Sequence, residues 1–285
     1  MSGMLFWLSS YMKSGNTWMR MLISNVGHDG EKPAEINDLK TMIGSTRSLF
    51  DSHLGFWTSD LTADETDLLR PEVYRHLGLG CKSRMFMKTH DAYTFLPDGR
   101  PLFPREGCCG VIYIARNPLD VAVSLSHHMG WELDRTIKNM GDPGFLLSFD
   151  PKSLKQQLRQ KILSWSGHVN SWLDQKSIPV HLVKYEDLQK DAVKVFAGAL
   201  NFSGIDVDEM TVRKAVAFSG FDILQKQESK AGFKEKPPTA GFFFREGKVG
   251  AWRNVLNEKQ VHKIISDHRE AMMRLEYLDE IGNIS

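Results

Sequence analysis

The chain has 285 residues, with 36 Lys and Arg against 35 Asp and Glu and a formal net charge of +1. That length allows one large α/β domain or two smaller ones. Hydrophobic residues at 41% and charged residues at 25% exclude a disordered chain, and the near-neutral balance removes the electrostatic case for a nucleic-acid partner.

In chain order, residues 5–9 are a brief apolar run followed by a polar turn, the pattern of a buried strand. The turn leads into 19–26, where Met21, Leu22 and Val26 keep helical spacing. Thr62 and Glu65 have capping-box spacing, and the helix they open is expected to falter near Pro71. Further strands are expected at 85–88, 111–115 and 180–183. Asn117 and Pro118 read as an N-cap and first helical residue. Ser153 is expected to open a long amphipathic helix carrying Leu154, Leu158, Ile162, Trp165, Val169 and Trp172. Asp206 and Asn257 are expected to cap two more, the last running towards Met273. Strands alternating with helices predict an α/β fold: one domain spanning 1–285, with a central, mostly parallel sheet flanked by helices. Residues 228–252 carry Gly232, Pro237, Pro238, Gly241, Gly247 and Gly250 without a clear period, and read as a lid.

Cys81, Cys108 and Cys109 form no CxxC pair and imply neither a disulfide framework nor a zinc site. A reducing, cytoplasmic location is expected. No apolar run reaches the length of a membrane span, and the apolar start at 4–8 is too short for a signal-peptide core.

Two segments carry chemistry. Lys13-Ser14-Gly15-Asn16-Thr17-Trp18 lies between a strand and a helix, where backbone N–H groups and the helix dipole converge on one spot. Gly15 permits close approach of an anion, Thr17 offers a hydroxyl and Lys13 a full charge. The nucleotide-triphosphate loop G-x-x-x-x-G-K-[ST] is absent. By themselves these residues fit either a phosphate-binding turn or an ordinary βα turn with an exposed lysine. Arg116 closes the 111–115 strand at its carboxyl edge, where open parallel sheets bind ligands. With Ser124 on the following helix it suits a phosphate dianion. Pairing of Arg116 with Asp120 is the competing reading of the same residues.

Taken together, the motifs resemble those of sulfotransferases that use 3′-phosphoadenosine-5′-phosphosulfate. Lys13–Trp18 resembles the 5′-phosphosulfate loop, and Arg116-Asn117-Pro118 through Ser124 the 3′-phosphate motif. Phe244-Arg245-Glu246-Gly247-Lys248-Val249-Gly250 with Trp252 is similar to the family's C-terminal glycine-rich segment. Lys88-Thr89-His90 resembles the segment bearing the catalytic base, and Tyr185-Glu186-Asp187 a further signature. The five matches follow the family's order over nearly the whole chain, and they imply a P-loop-like phosphosulfate turn on a parallel sheet.

The resemblance implies that Lys13, Ser14, Gly15, Asn16 and Thr17 hold the phosphosulfate and that Trp18 stacks on adenine. It gives the 3′-phosphate to Arg116, Ser124, Arg245 and the backbone at Gly247, and the adenine edge to Tyr185. Ser219 and Phe221 lie where the family closes the adenine pocket. His90 is implied as general base, Lys13 as stabiliser of the leaving oxygen and Lys88 as a contact to the sulfuryl oxygens. The implied reaction moves a sulfuryl group to a hydroxyl, or an amine, of a small-molecule acceptor. It leaves adenosine 3′,5′-bisphosphate (PAP) and requires no metal.

Three positions depart from the family. Met12 replaces a proline, Glu246 follows Arg245 where a lysine is usual, and Ala251 replaces an aspartate. The family's dimerisation signature is not recognisable at 255–265. Two rival readings are a P-loop kinase or NTPase and a non-catalytic nucleotide-binding module. Trp57, Phe95, Trp131, Phe145, Phe233 and Phe242 to Phe244 are candidates for an apolar acceptor pocket or for core.

Overall fold

The computed structural model describes residues 4–28, 30–150 and 152–284. Its first half runs β1 (Leu5–Ser10), α1 (Asn16–Val26), β2 (Met42–Ile43), α2 (Arg47–Leu54), α3 (Ala63–Gly80), β3 (Met85–Thr89), β4 (Cys108–Ala115), α4 (Pro118–Met129) and α5 (Leu133–Gly141). The second half runs β5 (Leu146–Leu147), β6 (Gln160–Lys161), α6 (Trp165–Asp174), β7 (Val180–Lys184), α7 (Tyr185–Lys190), α8 (Ala192–Phe202), α9 (Glu209–Phe218), α10 (Phe221–Ala231) and α11 (Glu258–Arg274). The fold is α/β, with a central five-stranded sheet in the order β2-β3-β1-β4-β7. β1 pairs parallel with β3, Leu5 opposite Met85 through Ser9 opposite Thr89, and β2 pairs parallel with the far side of β3. β1 is buried at every position, so it reads as an unbroken apolar run rather than an alternating one.

The chain divides into two compact units. The first contains residues 1–11, 42–113 and 142–182; the second contains 12–41, 114–141 and 183–285. The first unit is centred on Trp7, Tyr74, Phe103 and Trp172, all buried, with Trp7 edge-on to both Tyr74 and Phe103. In the second, Met21 of α1 joins Leu224, Phe233 and Phe244 in one cluster, and Trp18 and Phe221 pack against it.

Three expected elements are corrected. α3 does not falter at Pro71 but continues to Gly80. Proline removes one helical bond, but here its helix is anchored by a buried face that includes Arg70, Val73 and Tyr74. No long helix starts at Ser153. Residues 156–162 are largely extended: Leu158 N donates to Ser45 O, and Ile162 N donates to Phe145 O. Leu163 then takes a left-handed φ of 62°, and the helix begins only at Trp165, capped by Ser164. Asp208, not Asp206, caps α9 by accepting from Thr211 N. Asn257 does cap α11, in a reciprocal box with Gln260.

Candidate active site

In the second unit, the turn after β1 is built from unusual backbone. Lys13 has φ 65° and Gly15 φ 102°, a left-handed conformation that only glycine adopts without cost. Gly15 also meets a steric demand: a Cβ there would lie 2.7 Å from the Tyr185 ring. α1 starts directly on Gly15 with no side chain capping it, so its first N–H groups form the electropositive end that accepts anions. The Ser14 hydroxyl is fully buried beside this turn and has no hydrogen-bond partner among the described residues. A buried, orphaned hydroxyl is costly unless a ligand completes it. Asn16 and Thr17 are buried in the first helical turn.

Arg116 directly follows β4 and reaches this same turn. Its Nη1 donates to Lys13 O at 3.1 Å and its Nη2 to Lys248 O at 3.0 Å, while its buried Nε has no partner among the described residues. The alternative pairing with Asp120 is not found. Asp120 instead accepts from the backbone N–H of Gly250 (2.7 Å) and Trp252 (3.1 Å), which fastens the glycine-rich segment to α4. Asn117 caps α4 by accepting from Leu119 N, and Glu186 accepts from Asn117 N. Ser124 lies further along α4, half-buried.

Tyr185 is where these pieces meet. Its ring fills the space left by Gly15 and lies 4.3 Å from the Arg116 guanidinium. It packs edge-on to Trp18 and donates its hydroxyl to Gly247 O at 2.9 Å. Gly247 is left-handed, and a Cβ there would sit 2.6 Å from the Phe221 ring. Trp18 Nε1 donates to Ser219 O, and Asn25 donates to the Ser219 hydroxyl. The motifs read separately in sequence as Lys13–Trp18, Arg116, Tyr185, Ser219–Phe221 and Gly247 therefore share one place within the unit. Lys13 Nζ lies 3.4 Å from His128 Nδ1 and 4.0 Å over the Phe243 ring. Arg245 and Glu246 pair with each other at 2.7 Å, both about one-third exposed or more.

In the first unit, His90 follows β3 directly. Its Nδ1 lies 2.8 Å from Ser10 O, so Nδ1 carries the proton and donates, which puts the acceptor lone pair on Nε2. His168, fully buried, donates from Nε2 to His90 O (3.1 Å) and accepts from the Tyr113 hydroxyl at Nδ1 (2.9 Å). Burial pushes the His168 pKa down to about 3, and this neutral ring fixes the backbone carrying His90. Next in sequence, Asp91 is buried and held by Arg70 at 2.6 Å. Lys88 is half-buried in β3, opposite Leu8, and its carbonyl accepts from Gly44 N.

Sequence reasoning missed His168, the Arg70–Asp91 pair and Glu228. The last is buried on α10 and accepts from Phe243 N (2.7 Å) and Phe244 N (2.9 Å), clipping down the segment read as a lid. No motif flagged them, because each acts on a partner distant in sequence. The aromatic acceptor candidates divide. Phe145, Phe233 and Phe244 are buried, whereas Trp57, Phe95 and Phe242 are exposed. Among the described residues no helix is long and apolar enough to cross a membrane.

Comparisons with known proteins give the family and the fold. The chain is 24% identical over 273 residues to "Sulfotransferase 1 family member D1" of Rattus norvegicus, covering 93% of this chain and 82% of that protein. It is 26% identical over 271 residues to "Sulfotransferase 1B1" of Mus musculus, covering 93% and 81%. A solved structure of mouse sulfotransferase SULT7A1 complexed with PAP superposes with a TM-score of 0.61 at 21% identity, covering 96% of this chain and 85% of that one, which shows the shared fold. The sulfotransferase domain family model matches residues 5–276, and the chain belongs to that family of enzymes.

Proposed function

We propose that the chain transfers a sulfuryl group from 3′-phosphoadenosine-5′-phosphosulfate to a hydroxyl of a small-molecule acceptor. The observation that carries this reading is the bond from Arg116 to the carbonyl of Lys13, which joins two phosphate-type motifs 103 residues apart. The buried, unpartnered Ser14 hydroxyl and Arg116 Nε fit an anion that brings its own oxygens. When bound, this co-substrate supplies the sulfuryl group on a good leaving phosphate.

The protein contributes positioning, positive charge and a base. Lys13, the backbone at 14–17 and the hydroxyls of Ser14 and Thr17 hold the 5′ end and offset charge on the leaving oxygen. Arg116, Ser124, Arg245 and the Gly247 backbone hold the 3′-phosphate. Trp18, Tyr185, Ser219 and Phe221 surround the base. His90 Nε2 accepts the proton of the acceptor hydroxyl as its oxygen bonds to sulfur, and Lys88 steadies the sulfuryl oxygens. Transfer of this kind is loose and in line, as in phosphoryl transfer, so orientation outweighs covalent help from the protein.

The test uses labelled donor with an acceptor panel, beside thermal shifts with PAP and with ATP–Mg. The reading expects label in the acceptor and stabilisation by PAP, since a ligand bound only to the native state raises its stability. Stabilisation by ATP–Mg but not PAP overturns it in favour of a kinase-like protein.

A further inference from the structure

Within the first unit, a cleft of about 540 Å³ opens between α2, the start of α3 and residues 148–150 and 152–159. That is the size of a small-molecule site. Its walls are amphipathic: Leu61 and Leu158 line it, and Leu154 and Phe149 are exposed at 64% and 47%.

The charges facing the cleft do not cancel. Arg159 Nη2 holds Asp64 at 2.5 Å and Asp67 at 2.6 Å, and Lys155 holds Asp150 at 3.3 Å. Every carboxylate of the lining thus has a cation. Among the described residues Arg47 has only neutral acceptors: its Nε donates to Lys155 O (2.9 Å) and its Nη1 to the Thr58 hydroxyl (3.0 Å). Asp51 comes no nearer than that hydroxyl, from which it accepts at 2.7 Å. The Lys152 ammonium, also on the wall, has no acidic partner among the described residues. A guanidinium cannot shed its charge, and its fork matches a carboxylate bidentately.

The cleft is also tied to His90. Asp67, on its wall, shares the buried Arg70 with Asp91, the residue after His90, at 3.3 and 2.6 Å.

We propose that this cleft selects an amphipathic acceptor that carries a carboxylate, with Arg47 binding the carboxylate and Leu61, Leu154 and Phe149 covering the apolar body. The inference rests on the sulfotransferase reading and names its substrate class. Arg47 would be a specificity-determining residue, with Lys152 adding long-range attraction.

The test is a calorimetric titration of matched probes into the full chain saturated with PAP. The probes are ω-(4-hydroxyphenyl)alkanoates with short to long spacers, each beside its primary amide. For at least one spacer the acid should bind about tenfold tighter than the amide, the worth of one charge-assisted pair. Arg47→Gln should erase that ratio, and Arg47→Lys should keep part of it. An acid-to-amide ratio near one at every spacer overturns the proposal, as does a ratio that survives Arg47→Gln. The wild-type ratio decides the matter even where the variant fails to fold. Absence of PAP binding would instead strike the sulfotransferase reading itself.

Discussion

The ends of β1 and β3 solve opposite problems. After β1 the backbone turns left-handed at Lys13 and Gly15, the helix starts uncapped and the Ser14 hydroxyl is buried without a partner. After β3 the environment is closed off: Asp91 is locked to Arg70, and His168 and Trp172 bond the backbone of His90 and Asp91. A turn with unspent hydrogen-bonding capacity is built to receive something. A strand end whose backbone is pinned by buried side chains is built to hold one side chain still. Strain and orphaned groups are tolerated only where surroundings over-determine them, which is why they cluster at functional sites.

His90→Ala is the strongest way to break that contrast. Turnover should fall about 10³-fold, within the usual range for removing a general base, while PAP binding stays near wild type. Retention of most activity would take the base role away from His90. Arg116→Ala attacks the receiving end instead. It removes the bond to Lys13 O and the charge beside it, so PAP affinity should drop about 100-fold, the scale of a lost charge-assisted hydrogen bond. Calorimetry with PAP reads this directly, and unchanged affinity would remove Arg116 from the 3′-phosphate.

How much of this was legible in sequence follows the same division. The β1 turn and the Arg116–Asn117–Pro118 start of α4 were readable because glycine, proline and capping residues act on their own neighbours. The central parallel sheet was readable from short apolar runs. The rest depends on partners far along the chain. The 153–163 stretch has helical spacing, yet its N–H groups bond Ser45 and Phe145, and tertiary pairing overrides that local pattern. Pro71 looks like a helix stop, but the Arg70 ion pairs and the packing of Tyr74 carry α3 past it. Glu228 gives no motif at all, because its task is to accept two backbone N–H groups from residues 243 and 244.

Two buried histidines, His168 of the holding region and His268 on α11, should also show in acid. Burial lowers His168 to about 3 and His268 to about 4, whereas an unfolded histidine titrates near 6.5. Because the folded values are depressed, the unfolded chain binds more protons as pH drops. The associated stability is full above about pH 6.5 and is lost progressively towards the folded values. Each group should cost about 2 kcal/mol by pH 5. Urea titrations at pH 7 and pH 5 measure the loss, and His268→Leu should reduce the difference. Equal stability at both values would contradict the buried, neutral state of these rings.

The smallest effect sharpens the receiving side. Arg245 is proposed for the 3′-phosphate, yet its guanidinium is engaged by Glu246 at 2.7 Å. Both side chains are partly exposed, so the pair itself contributes little to stability. Its consequence lies in competition: a phosphate must share Arg245 with a carboxylate one residue away. Glu246→Gln removes the competing charge while keeping the shape, and PAP should bind about two- to fivefold tighter at low salt. The gain should shrink as ionic strength rises, because an exposed charge is screened within about 8 Å at physiological salt. If PAP binds the variant no better at low salt, Arg245 is not part of the phosphate grip, and Arg116 carries the 3′ end without it.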